Sequence, residues 1–105
     1  MRYKNQGTAQ IRETGFMFML RDAIVVSATD EYKKYLQRVQ RAEQHINEAI
    51  SEKDYQKFRK WYILWWSLDC KECLRFLRSS YFESLTDISA EYIINRMRKE
   101  YPCGK

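Results

Sequence analysis

Between Ile24 and Ala49 the apolar and small residues Ile24, Ala28, Tyr32, Tyr35, Val39, Ala42, Ile46 and Ala49 recur in steps of three and four positions. That spacing lines them along one face of an α-helix, whereas in a strand, with its period of two, they would scatter over both faces. A long helix with one buried stripe is therefore the element around which the chain must fold. Its opposite surface carries Lys34, Arg38 and Arg41 interspersed with Asp30, Glu31, Glu43 and Glu48, the alternating pattern of a solvated face. Upstream, residues 1–15 are polar and aperiodic and read as a flexible N-terminal arm. "GFMFML", Gly15 to Leu20, reads as the start of the helical part, so residues 16–105 are expected to form a single helical domain.

"SEKD", Ser51 to Asp54, places a hydroxyl three residues before an acid, a capping-box variant that predicts the start of a second helix. The apolar positions Tyr55, Phe58, Trp61, Tyr62, Trp65 and Leu68 carry that helix onward to Leu77. Two long helices joined by so short a turn must lie antiparallel. Ser79-Ser80 interrupts the pattern, and "YFESL" reads as a short helical turn. In "TDISAEYIINRMRKEY", Asp87 or Ser89 can cap a last helix whose Ile93, Met97 and Tyr101 face inward, with Arg96, Arg98 and Lys99 complementing its dipole. Pro102 and Gly104 end it. The predicted fold is all-α: an antiparallel hairpin of two long helices, a short helical turn and a C-terminal helix, packed as a small bundle.

Three glycines and one proline among 105 residues suit helices better than turn-rich β-structure, and this length makes one modest core. A net charge of +5 attracts acidic partners of any kind, protein or nucleic acid. The apolar runs are too short for a bilayer span, and the polar N-terminus lacks the order of a signal peptide. A cytoplasmic location is expected. Cys70, Cys73 and Cys103 are an odd number of thiols, which fits a reducing compartment and implies no disulfide framework.

The second predicted helix is apolar over more than half its circumference, wider than one neighbour covers. The expectation is a central core helix, covered by the first helix on one side and by the C-terminal helices on the other. The remaining sector holds Lys57, Lys60, Lys71, Arg75 and Arg78. With Trp66 as an adjacent anchor, these residues form the candidate partner-binding surface, because exposed tryptophan and arginine beside apolar residues compose binding hot spots. The CxxC of Cys70 and Cys73 sits within the predicted helix and lacks the further ligands of a zinc site. The thiols therefore read as small core hydrophobes, and no metal or cofactor is expected. Asp69 falls on the apolar arc and needs an arginine, a tyrosine hydroxyl or backbone amides from the C-terminal segment. No nucleophile elbow, P-loop or dinucleotide fingerprint occurs, and no catalytic residue is assigned.

"ECLRFLRSSYFESLTDISAEYIINRMRKE", Glu72 to Glu100, resembles the close of small proteins from phages and mobile elements of Firmicutes. The matching residues are Phe76-Leu77-Arg78-Ser79, Tyr81-Phe82, Leu85-Thr86, Ile88 and Glu91-Tyr92-Ile93-Ile94, and Ser89-Ala90 stands where that pattern has Asp-Gly. "DEYKKYL", Asp30 to Leu36, is similar to their first helix. The resemblance implies a non-enzymatic protein, in the cytoplasm of the bacterial host, that binds and inhibits a host defence nuclease complex. Its most specific form is an anti-CRISPR protein acting on the type II effector Cas9. The alternatives are a small basic DNA- or RNA-binding phage accessory protein and a helical homodimer closed by the broad arc of the second helix.

Overall fold

The computed structural model describes the backbone of residues 7–105 and the side chains of residues 20–105. Every regular element among them is an α-helix: α1 (Gly7–Glu52), α2 (Tyr55–Ser67), α3 (Lys71–Leu77), α4 (Ser80–Leu85) and α5 (Ala90–Glu100). At 1.5 Å per residue α1 is about 69 Å long, and it sets the 72 Å long axis of a molecule only 22 × 20 Å across. The expected arm over residues 1–15 lies partly outside the described residues. From Gly7 the backbone is already helical, so "GFMFML" lies inside α1 and not at its start.

The periodic stripe of α1 is the spine of the core. Ala28, Tyr32, Leu36, Val39, Ala42 and Ala49 are buried, while Ile24, Tyr35 and Ile46 are half-buried. Leu77 of α3, Phe82 of α4 and Ile93 and Ile94 of α5 complete the buried set. α2, α3, α4 and α5 each pack on α1. A long helix with small residues at Ala28, Ala42 and Ala49 lets these neighbours approach closely, and the shorter helices owe their order to that contact, since helices this short are marginal alone.

The first turn differs from expectation. α1 runs through Ser51 and Glu52 and ends in a Schellman motif, with Asp54 N donating to Ala49 O (2.9 Å) and Lys53 N to Ile50 O (3.2 Å). Lys53 takes the left-handed position at φ 55°, where glycine is usual. Asp54 is the N-cap of α2, accepting the Lys57 amide at 3.0 Å. Ser51 is consumed by α1, and the cap falls three residues later.

The second helix is also not continuous to Leu77. Ser67 ends α2 with its hydroxyl on Leu64 O (2.7 Å), Leu68 is extended (ψ 129°), and Asp69 Oδ1 accepts the Lys71 amide at 2.7 Å. Serine and aspartate here offer the backbone local partners that compete with helix. Asp69 is consequently exposed and bound to its own loop, not buried against the C-terminal segment. Ser79 caps α4 by accepting the Phe82 amide, and Ser89 caps α5 by accepting the Tyr92 amide, each at 3.1 Å. The Ser89-Ala90 pair thus serves as N-cap and first helical residue.

Candidate functional site

α2 contains no buried residue. Its inner side, Phe58, Trp61 and Trp65, is half-buried against α1, as is its C-cap Leu68. His45 of α1 stacks on Trp61 at 4.1 Å between ring centroids, and Glu43 accepts the Trp65 indole N–H at 2.9 Å. The expected cover on the far side is missing because α3, α4 and α5 dock on α1 instead. Tyr55, Tyr62, Ile63 and Trp66 are left open, at 71%, 41%, 56% and 64% exposure. Together with the exposed Arg59 they follow helical spacing and share one face.

Ring contacts join that outer face to the inner one. Phe58 stacks on Tyr62 (5.4 Å) and Tyr62 on Trp65 (6.2 Å), while Trp66 meets Trp65 and Tyr62 edge-on at 5.5 and 6.2 Å. Such pairs hold aromatic rings in defined orientations, so the exposed Trp66 and Tyr62 stand on the packed Trp65 as a preformed surface.

The predicted cation set does not converge on this face. Lys57 is bridged to Glu52 (3.2 Å) and Glu48 (3.4 Å). The Glu52 and Glu48 carboxylates hold its ammonium above the usual lysine value, and Lys57 reciprocally lowers Glu48. Arg75 pairs with Glu72 and Arg78 with Glu91, both at 2.9 Å. Lys60 is exposed, with its ammonium 5.7 Å from the Trp61 ring centroid. Lys71 is exposed in the first turn of α3. The interruption at residues 68–70 separates Lys57 and Lys60 on α2 from Lys71 and Arg75 on α3 and its C-cap Arg78, so the five cations do not share one helix. Of the predicted surface, Trp66 and Lys60 lie on exposed parts of α2, to which the structure adds Tyr55, Arg59, Tyr62 and Ile63. Their spacing was readable in the sequence; their exposure depends on where α3–α5 pack.

Beside α2 runs a cleft of about 920 Å³ between the Leu20–Arg38 part of α1 and residues 68–76. Cys70, Cys73 and Tyr35 lie along it. Cys70 is the N-cap of α3 and not a mid-helix residue. Burial raises both thiols, Cys73 to about 11, and raises the Tyr35 phenol as well. All three groups are neutral near pH 7, and the half-buried Cys103 packs on the same core. A protonated thiol is a poor nucleophile and a poor metal ligand. Among the described residues, no group of three or more His, Cys, Asp or Glu side chains is placed to hold a metal ion.

The arrangement defines a small all-α protein with an aromatic surface on its second helix. No helix among the described residues is long and apolar enough to cross a membrane. No known family model, curated protein or solved structure matches the chain.

Proposed function

We propose that the protein acts by binding, and that the outer face of α2 is the surface it presents to a protein partner. The observation that carries this reading is Trp66, 64% exposed in line with Tyr62 and Ile63 and braced from beneath by Trp65. A large ring fixed on its own scaffold loses little conformational freedom on docking, and Arg59 on the same face supplies charge that favours an acidic partner. In its most specific form, the partner is a host defence nuclease complex of the type II effector Cas9 class, inhibited by occupation of a functional surface. That part of the proposal is supported by the resemblance of Glu72–Glu100 to phage and mobile-element proteins.

The test is a tagged pull-down from nuclease-treated lysate of a Firmicute carrying a type II CRISPR system, comparing the native chain with Trp66→Ala. Recovery of the effector by the native chain, and its loss with Trp66→Ala, is the expected result. Retention of the effector by Trp66→Ala would move the contact off this face.

A second reading has its own observation. Arg59 lies within the Tyr55–Tyr62–Trp66 face, so a cation and exposed rings do share one surface, as stacking on single-stranded nucleic acid requires. Binding recovered only when nucleic acid is left intact, with a steep salt dependence, selects that reading.

A further inference from the structure

Residues 102–105 cross back over α1 to reach α2. Gln40 Nε2 donates to Pro102 O at 3.0 Å, and the Gly104 amide donates to Glu43 Oε2 at 2.8 Å. That same carboxylate oxygen accepts the Trp65 indole N–H. Lys105 then places its ammonium on Trp65 O and on Leu68 O, the latter at 2.7 Å, and 4.6 Å from the centroid of the Trp65 ring. Trp65 O lies in the last turn of α2, where it also accepts the Leu68 amide at 3.3 Å, and Leu68 is the C-cap, so the ammonium sits at the negative end of the helix dipole.

These contacts add to the half-buried Phe58, Trp61 and Trp65, the His45–Trp61 stack and the Lys57–Glu48 bridge that seat α2 on α1. α2 buries no residue completely and is flanked by two joints, the left-handed Lys53 and the extended Leu68. Leu68, Asp69 and Cys70 also line the cleft, so movement of α2 reshapes it. We propose that the 102–105 segment is a latch. The Lys105 ammonium and the Glu43 carboxylate keep α2 docked on α1, and breaking either contact lets α2 swing out as a unit between its two joints while the α1–α3–α4–α5 core stays folded. The device sets whether the aromatic residues of α2 are shared with α1 or free. It does not rest on the docking role assigned above, because its signature is intramolecular.

Amide hydrogen exchange, followed by mass spectrometry on the isolated 105-residue chain, tests it. Lys105→Met keeps the aliphatic stem and removes the charge. Gly104→Ala is a second probe, since a Cβ there would stand 2.8 Å from Glu43 Oε2 and force that carboxylate to shift from its place between the Gly104 amide and the Trp65 indole. Loss of a charge-assisted contact at a helix end is expected to speed exchange across Phe58–Ser67 about fivefold to tenfold in each variant, with the amides of Ala28–Leu36, where α1 packs on α3, α4 and α5, unchanged. Unchanged exchange in α2 overturns the proposal. Equal acceleration of α2 and the α1 core also overturns it, because the tail would then be an ordinary part of one cooperative fold.

Discussion

In α1, Ala28, Tyr32, Leu36, Val39, Ala42 and Ala49 are buried, six of the ten core residues among those described; α2, packed against it, contributes none. α2 is nevertheless rich in large hydrophobic side chains. Apolar composition therefore does not decide which helix is core. α1 is long enough to touch every other element, so its stripe is covered piece by piece, whereas α2 spans only about 20 Å and is covered on one side. The same aromatic residues that would seal a bundle elsewhere become, on a half-covered helix, a surface.

The largest expected break in that contrast is Leu36→Ala, at a position with no solvent exposure. Loss of the side chain from the spine should cost about 2–5 kcal/mol, read as a fall in Tm on the order of 10 °C or more by calorimetry. A cost below about 1 kcal/mol would show that the α1 stripe is not the core. Asp54→Ala removes the N-cap of α2 and should cost ~1 kcal/mol in urea denaturation. Lys53→Gly should do the reverse, raising stability by about 0.5–1 kcal/mol, because glycine occupies the left-handed position without the Cβ penalty; a decrease would contradict that φ.

Alkaline titration probes the seam between the regions. Burial raises the Cys73 thiol from the usual 9.0 to about 11, so folding favours its protonated form. That contribution is complete below pH 9.0 and is lost as pH rises towards 11. Between those values the native chain should lose more thermal stability than Cys73→Ala, and parallel curves would refute the assignment. The smallest effect on folding is expected for Trp66→Ala. Its stability should stay within ~0.5 kcal/mol of the native chain, as for a surface position, so any large loss of partner binding would report contact and not unfolding.

The helical content, the α1 stripe and the Ser89 cap were legible because each is a local pattern: a 3.6-residue period or a hydroxyl three residues before an amide. The turn at Lys53–Asp54 was harder to place, since "SEKD" offers both a serine and an aspartate as caps. The interruption after Ser67 had a signal in "SLDC", where serine and aspartate compete for the backbone, but the apolar periodicity through Leu77 pointed the other way. The candidate site was legible in part. Trp66 and Lys60 stand exposed on α2, while Lys57, Arg75 and Arg78 proved to have acidic neighbours in Glu52, Glu72 and Glu91, pairings that helix spacing shows only for Arg75.

By itself, then, the amino-acid sequence determined an all-α chain built on one long amphipathic helix, because hydrophobic period and capping are properties of neighbours along the chain. Tertiary structure decided that α2 is a half-open flank instead of the centre, and that its end is closed by an ammonium group supplied from 37 positions away. Both follow from where α3–α5 and the 102–105 segment come to rest on α1, and burial at each residue is fixed by what packs over it from elsewhere in the chain.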